Sequence, residues 1–209
     1  MFKDSVSKRF KFSYFLSSFS LSYFFLILIM YIQAYELLGT WFPPFPILWT
    51  SKKIVFLVLI VIFILSILAL CYVKIKITQS SNYIRGNGVD GGKVGLSYNQ
   101  GSREFILGVL LPVVTTISVP DTPITGLVAV IFLQLILGYF YWHSNELFVN
   151  VPLMMIGYSL VVGKYKEKEL LLFVKNSQLK SVLGREVRFV PLGKVEEGQL
   201  GVLGEESLN

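Results

Sequence analysis

Two long apolar runs, neither containing a charged residue, stand out in the first third of the chain. One covers residues 14–35 and the other covers residues 54–73. A helix of about 20 residues, at a rise of ~1.5 Å per residue, crosses the ~30 Å hydrocarbon layer of a lipid bilayer. We therefore predict that both runs are transmembrane helices and that residues 1–73 form an N-terminal transmembrane hairpin.

Three further apolar stretches follow, at residues 105–119, 124–141 and 147–162. The first reaches only ~22 Å as a helix, and Pro112 removes a backbone hydrogen bond at its centre. It is predicted to be a re-entrant or interfacial segment, whereas the other two are predicted to be the third and fourth transmembrane helices. Residues 105–166 thus form a predicted C-terminal membrane region.

The basic residues predict the orientation of these helices, because Lys and Arg in short loops collect on the cytoplasmic side. Seventeen of the 19 basic residues lie before residue 14, between residues 74 and 104, or after residue 162. Placing all three segments inside gives a multi-pass protein with four spans and both termini in the cytoplasm. An alternative makes residues 105–119 a true span and lays residues 147–162 on the inner surface.

Three tryptophans are predicted to lie at the outer surface of the membrane. Trp41 and Trp49 belong to the loop 36–51, where three prolines exclude an ordinary helix, and Trp142 follows the third span. Tryptophan is enriched at the depth of the lipid headgroups. We interpret these three residues as outer interfacial anchors, although the alternative topology moves Trp142 to the cytoplasm.

Residues 74–104 and 167–209 are predicted to be cytosolic. The first segment begins with strand-like alternation at residues 73–78 and continues into a glycine-rich loop with short strands. The tail contains three strand-like runs separated by glycines, at residues 170–174, 186–192 and 199–203. We predict that this small β-like tail pairs with the loop strands, with a neighbouring subunit, or with a partner that adds a strand to an exposed edge.

The predicted fold class is an all-α integral membrane protein with four transmembrane helices, a re-entrant or interfacial segment and a small cytosolic β-rich portion. The composition agrees, because 54% of the residues are hydrophobic and 15% are charged, against about 25% charged in soluble proteins. The net charge of +6 is explained by the basic loops, and acidic and basic residues nearly balance in the tail. Direct binding of nucleic acid by this chain is therefore not expected.

The chain offers little for catalysis. One histidine, His143, and one cysteine, Cys71, are too few for a metal site or a supported nucleophile. Gly86, Gly88 and Gly91 have a GxGxxG spacing, but a dinucleotide site also needs a preceding strand, a following helix and an acidic residue. We therefore predict a protein without catalytic residues, metal or cofactor.

Five other residues are candidates for signalling. Glu104 and Asp121 border apolar runs, where a carboxylate is costly unless it meets water or a partner, and Pro112 interrupts the segment between them. These three are candidate gating or signal-relay residues, although each carboxylate can instead simply cap a helix at the surface. Arg185 and Arg188, in the tail, are candidate partner-binding residues.

Two stretches of the second half are distinctive: Glu104-Phe-Ile-Leu-Gly-Val-Leu-Leu-Pro-Val-Val114, and Asn145-Glu-Leu-Phe-Val-Asn-Val-Pro-Leu-Met-Met-Ile-Gly-Tyr158, which is followed by a basic stretch. They resemble the KwaA family, the small membrane components of the bacterial Kiwa antiviral system. The resemblance covers about residues 100–166 and departs from the family pattern by Val151, between Asn150 and Pro152. It implies an oligomeric, multi-pass inner-membrane protein that detects phage infection and works with a cytosolic DNA-binding partner, KwaB.

These observations lead to two functional hypotheses. The first is a non-enzymatic membrane sensor or scaffold of an antiphage defence complex, which holds a cytosolic effector near the lipid bilayer. A shift in helix packing would then pass a signal from the outer loop to the cytosolic segments. The alternative is an oligomeric channel or pore, with the segment around Pro112 as its constriction.

Overall fold

The computed structural model describes residues 7–38, 51–82, 89–98, 123–143, 150–165, 168–192 and 199–203. These residues form apolar helices and a small β-barrel. The helices are α1 (Lys8–Ser18), α2 (Ser20–Leu38), α3 (Ser51–Asn82), α4 (Pro123–His143), α5 (Val151–Met155) and α6 (Leu179–Val182). The strands are β1 (Val89–Tyr98), β2 (Tyr158–Tyr165), β3 (Lys168–Lys175), β4 (Glu186–Pro191) and β5 (Gln199–Leu203).

The first predicted span is helical but is interrupted at Phe19. The backbone amide of Phe19 donates a hydrogen bond to the carbonyl oxygen of Leu16 at 3.4 Å, which closes α1, and α2 begins at the next residue. The described residues contain two helical stretches that are long and apolar enough to cross a membrane, Lys8–Ile32 and Lys53–Ser81. The predicted pair of long apolar helices near the N-terminus is therefore confirmed.

The second predicted span forms the central part of α3, a helix of 32 residues that is ~48 Å long. The strand predicted at residues 73–78 is wrong, because α3 continues through it. Val73 and Ile77 are fully buried, while the three residues between them are exposed. Positions four residues apart share one face of a helix, so the burial follows the helical period and not the apparent alternation.

The helix predicted at residues 124–141 is confirmed as α4, which runs antiparallel to α2. Successive residues of α4 contact progressively earlier residues of the N-terminal helices. Val130 shares a buried cluster with Leu26, and Gln134 accepts a hydrogen bond from the Tyr23 hydroxyl at 2.7 Å. Further along α4, Tyr141 stacks on Phe15 with ring centroids 5.3 Å apart. The end of α4 therefore lies beside α1, and its start lies beside the end of α2.

The fourth helical span predicted at residues 147–162 does not form in its described part. That part holds the five-residue helix α5, a turn at Gly157 and the first half of β2. Gly157 has φ of 98°, a left-handed conformation that costs other residues energy, so it allows the reversal from helix to strand. The all-α, four-span part of the predicted fold class is therefore not confirmed, whereas its long apolar helices and its β-rich portion are present, the latter as a β-barrel.

The five strands close a barrel in the order β1-β2-β3-β5-β4, and β4 pairs back with β1. β3 and β5 are parallel, and the other neighbours are antiparallel. This order, with a short helix between β3 and β4, is that of the OB-fold, a five-stranded Greek-key barrel. The three strands predicted in the tail are confirmed as β3, β4 and β5. The predicted pairing with the preceding loop is confirmed for β4, which pairs with β1, whereas β3 and β5 pair with other strands.

β3 is buried on both of its faces. Leu170, Leu172 and Val174 lie in the barrel interior, whereas Leu171 and Phe173 face the helices. Burial on both faces explains why this strand is a continuous apolar run without alternation. Each of the described strands has a paired neighbour on both sides, so the predicted addition of a partner strand to an exposed edge is wrong for these five strands.

The close approach of β1 and β2 requires a glycine at residue 163. A Cβ atom on Gly163 would lie 2.5 Å from the carbonyl oxygen of Lys93, a backbone atom held in the barrel wall. We expect Gly163→Ala to lower the free energy of unfolding by about 2 kcal/mol, measured by thermal unfolding in detergent. Gly126→Ala is the control, because nothing lies within 4 Å of its Cβ position. Equal stability of both variants would contradict this account of the barrel wall.

Candidate functional site

The apolar helices meet the barrel in one buried cluster, which we call the helix–barrel junction. It contains residues from α1, α3, α4, α5 and the barrel strands: Phe10, Tyr14, Leu70, Val73, Ile77, Tyr141, Leu153, Tyr158, Leu160, Leu171, Phe173, Leu200 and Val202. A second cluster, inside the barrel, is centred on Phe189 and Leu172. Helices thus pack on the outer face of β2, β3 and β5.

Aromatic rings dominate the contact between α1 and the barrel. The ring centroid of Phe173 lies 5.9 Å from that of Tyr14 and 6.3 Å from that of Phe10. These three side chains are 1–4% exposed, so they bury most of their apolar surface in this contact. Aromatic pairs at such distances add about 0.5–1.5 kcal/mol beyond the burial of area. α1 is therefore held firmly on the barrel.

A polar clamp fixes α5 to α1. The side-chain amide nitrogen of Asn150, a residue 2% exposed, donates to the Tyr14 carbonyl oxygen at 3.1 Å and to Ser17 Oγ at 2.6 Å. Its side-chain oxygen accepts from the Leu153 amide at 3.0 Å and so caps the N-terminus of α5. One buried side chain thus joins the first helix to the segment that enters β2.

α3 is joined to the barrel by side-chain hydrogen bonds. Thr78 Oγ1 and the Tyr158 hydroxyl share a hydrogen bond of 2.9 Å, and Ser81 Oγ donates to the Leu203 carbonyl oxygen at 3.2 Å. The same helix carries Val55 and Leu59 in the cluster with Leu26, at the opposite end of the helix layer. α3 is therefore one continuous helix that runs from one end of the helix layer to the barrel. We call the end of the layer where α2 finishes the far end.

The structure places the predicted site residues unevenly. Glu104, Pro112, Asp121, Trp41 and Trp49 lie outside the described residues. Trp142 is 40% exposed at the end of α4. Its neighbour Tyr141 belongs to the helix–barrel junction. That all three tryptophans share the outer surface stays a prediction, because Trp41 and Trp49 lie outside the described residues.

Arg185 and Arg188 lie on the barrel away from the junction. Arg185 is exposed, and its carbonyl oxygen accepts a hydrogen bond from the Val94 amide of β1 at 3.0 Å. Arg188 is half-buried in β4. Beside them the Lys93 ammonium pairs with the Glu186 carboxylate at 3.3 Å, and Lys93 is the strand partner of Lys164. Among the residues whose side chains are described, the outer face of β1 and β4 thus carries the charged residues Lys93, Glu186 and Arg188.

Sequence reasoning missed the residues that build the junction. Phe10, Tyr14 and Phe173 are aromatic residues within apolar runs, and nothing in their local spacing shows that they meet. Asn150 had a local signal, because an Asn followed two residues later by Pro152 is typical of a helix N-terminus. Its clamp on α1 joins residues more than 130 positions apart and has no local signal.

The described residues show no ready-made metal centre. Within them, no group of three or more His, Cys, Asp and Glu side chains lies close enough to hold a metal ion. Cys71 is exposed on the surface of α3. The chemistry visible at the junction is therefore aromatic packing and hydrogen bonding, which couple one element to another.

The fold and the junction define a class of protein, in which a layer of long apolar helices suited to a membrane is built onto a small closed β-barrel. A comparison with protein families identifies the family to which the chain belongs. The model of the anti-phage protein KwaA matches residues 10–194, from α1 to beyond β4, and the chain belongs to this family of antiphage defence proteins. No curated protein matches the chain. No solved structure matches it either.

Proposed function

We propose that this chain is a non-enzymatic sensor and scaffold of an antiphage defence complex, which holds a cytosolic effector at the bacterial inner membrane. The observation that carries the proposal is the continuity of α3 from the far end of the helix layer to the barrel, where Thr78 and Ser81 bond to β2 and β5. A helix without a break transmits a tilt or rotation along its length. Membership of the KwaA family supports the role in defence.

Two routes lead from the helix layer to the barrel. The first is α3 itself. The second runs from α2 through the interruption at Phe19 to α1, which is held on the barrel by Phe173 and Asn150. We infer that a change in helix packing at the far end shifts both routes together, because densely packed clusters move between discrete arrangements. The barrel face would then change its orientation relative to the membrane.

The topology proposed here differs from the first prediction in one segment. The described chain begins at α1 and ends at β5, and both lie at the barrel end, which agrees with both termini on one side. The chain leaves the barrel at Tyr98 and enters α4 at Pro123, at the far end. We therefore propose four crossings in the alternative topology, in which residues 105–119, which lie outside the described residues, make the third and α4 the fourth. We also propose that the barrel lies in the cytoplasm, because the basic residues flank it and Lys and Arg collect on that side.

The surface proposed for the effector is the basic outer face of β1 and β4. Among the described residues, the helices of the junction pack on β2, β3 and β5 and not on this face. Lys93 is exposed on it and Arg185 is exposed directly before β4, so both suit a partner with an acidic surface. The family resemblance implies that this partner is a DNA-binding protein of the KwaB kind. We also propose a homo-oligomer, which the family resemblance implies.

We expect Arg185→Glu to weaken recovery of the cytosolic effector by about tenfold or more, since reversing an interfacial charge costs at least about 1.4 kcal/mol. The full-length chain is purified from its native host in mild detergent, and companions are identified by mass spectrometry. Protection against phage, measured as plating efficiency, is expected to fall in parallel.

Lys180→Glu is the matched control for this experiment, because it reverses an exposed charge on α6 rather than on the barrel wall. It is expected to retain both the companion and protection. Recovery of the same companion with Arg185→Glu as with the unaltered chain would refute the proposed dock. Purification of the unaltered chain without any cytosolic companion would refute the scaffold itself.

A further inference from the structure

Four helices end or pass at the level of the helix–barrel junction, and each exposes basic or apolar side chains there. Their buried faces meet in one cluster through Phe10, Ile77, Tyr141 and Leu153, so their outward residues within about one turn lie at a common depth. We call these outward residues the interfacial belt: Lys8, Arg9 and Phe12 on α1, Lys74 and Lys76 on α3, Trp142 on α4, and Met155 and Ile156 at the end of α5.

The apolar members of the belt are unusually exposed for a protein surface in water. Phe12 is 58% exposed and Met155 is 71% exposed, while Trp142 is 40% exposed. Grouped apolar side chains on a surface mark a contact with a membrane or a partner, and tryptophan prefers the headgroup layer of a bilayer. Their position, at the barrel end of the apolar helices, is where a membrane surface would lie.

The charged members of the belt carry one sign. Lys8, Arg9, Lys74 and Lys76 are all exposed and basic. Among the residues whose side chains the structure describes, Glu186 is the only acidic one. It pairs with Lys93 on the barrel, outside the belt. Exposed cations beside exposed apolar groups match the phosphate and acyl regions of an anionic lipid. The charge and the apolar contacts thus point to the same ligand.

We propose that the interfacial belt binds anionic phospholipid headgroups of the leaflet on the barrel side. Lys74, Lys76, Lys8 and Arg9 contact the phosphates, while Phe12 and Met155 insert among the upper acyl carbons. The belt surrounds the junction, so bound lipid sets the depth and tilt at which the barrel rests on the membrane. The proposal relies on insertion of the helices in a membrane, but not on an effector or on phage sensing.

The test measures lipid selectivity directly. The full chain is reconstituted in nanodiscs of mixed phosphatidylcholine and phosphatidylglycerol, re-extracted in mild detergent, and analysed by native mass spectrometry for the lipids that stay bound. Phosphatidylglycerol is expected to be enriched over its share in the nanodisc. One Lys near an anionic surface contributes a factor of about five in binding, so Lys74→Gln/Lys76→Gln is expected to reduce the enrichment at least about fivefold.

Lys93→Gln/Lys164→Gln removes the same charge from two exposed lysines on the barrel wall and is expected to keep the enrichment. Lys8→Gln/Arg9→Gln repeats the test on α1, and gel filtration checks that each variant keeps the size of the unaltered chain. Absence of enrichment in the unaltered chain, or equal loss in the belt and barrel-wall variants, would overturn the proposal. Effector recovery with the belt variants, purified from the native host as above, reports on the scaffold separately.

Discussion

Replacing Phe173 by alanine is expected to lower the free energy of unfolding by about 3–5 kcal/mol, the range for removing a buried aromatic side chain. Phe173 is 1% exposed and meets the rings of Phe10 and Tyr14, so the variant opens a cavity between α1 and the barrel. The rings on α1 would then lose their shared contact in the barrel wall. Thermal unfolding of the full chain in mild detergent measures the loss.

Phe12→Ala is the matched control, because Phe12 lies on the exposed face of the same helix α1. It is expected to change the free energy of unfolding by less than about 0.5 kcal/mol in detergent. A second variant, Phe173→Leu, keeps most of the apolar volume and is expected to recover a large part of the stability. Equal stability of Phe173→Ala and Phe12→Ala would show that α1 does not rest on the barrel as the structure has it.

The second prediction with a large expected effect concerns the side of the membrane on which Trp142 lies. In a Cys71→Ser background, a cysteine introduced by Trp142→Cys is expected to react with a membrane-impermeant maleimide from the same side as one introduced by Arg185→Cys. A cysteine introduced by Trp41→Cys is expected to react from the opposite side. The reason is the direction of α4, whose end stacks on Phe15 beside the barrel. Labelling of intact cells and of inverted vesicles measures the two sides.

Cys71 is exposed on the helix surface, so its replacement by serine removes the natural thiol without opening a cavity. Labelling of Trp142→Cys and Trp41→Cys from one common side would contradict the direction of α4. It would restore the topology in which residues 105–119 do not cross and all three tryptophans share the outer surface. If Arg185→Cys were labelled only in intact cells, the barrel would lie outside the cytoplasm, and the proposed orientation of the whole protein would be reversed.

Local patterns in the sequence were sufficient where one physical requirement dominated. An uncharged apolar run of about 20 residues has few stable forms other than a long helix, and α2, α3 and α4 follow from this. The strands β3, β4 and β5 were also predictable, because runs of branched residues between glycines favour extended chain. The expectation that the chain is not an ordinary soluble protein rested on composition alone.

Local patterns failed where one run satisfies two different structures. The stretch at residues 147–162 is apolar enough for a helix, but its second half is a barrel strand with one face toward the core and the other toward the helices. A short apolar run shows that a segment is buried and does not show in which element. The strand prediction for residues 73–78 was wrong because exposed lysines between apolar residues produced an apparent alternation inside a helix.

The sequence by itself thus determined that the chain has long apolar helices and a β-rich tail, because hydrophobic length and strand propensity are local properties. Only the tertiary structure decided that β1, β2 and the tail strands close a barrel, that Asn150 clamps α1, and that Tyr141 at the end of α4 packs in the helix–barrel junction. These features join residues far apart in the chain. Their free energy comes from contacts that exist only after the chain has folded, so no local pattern records them.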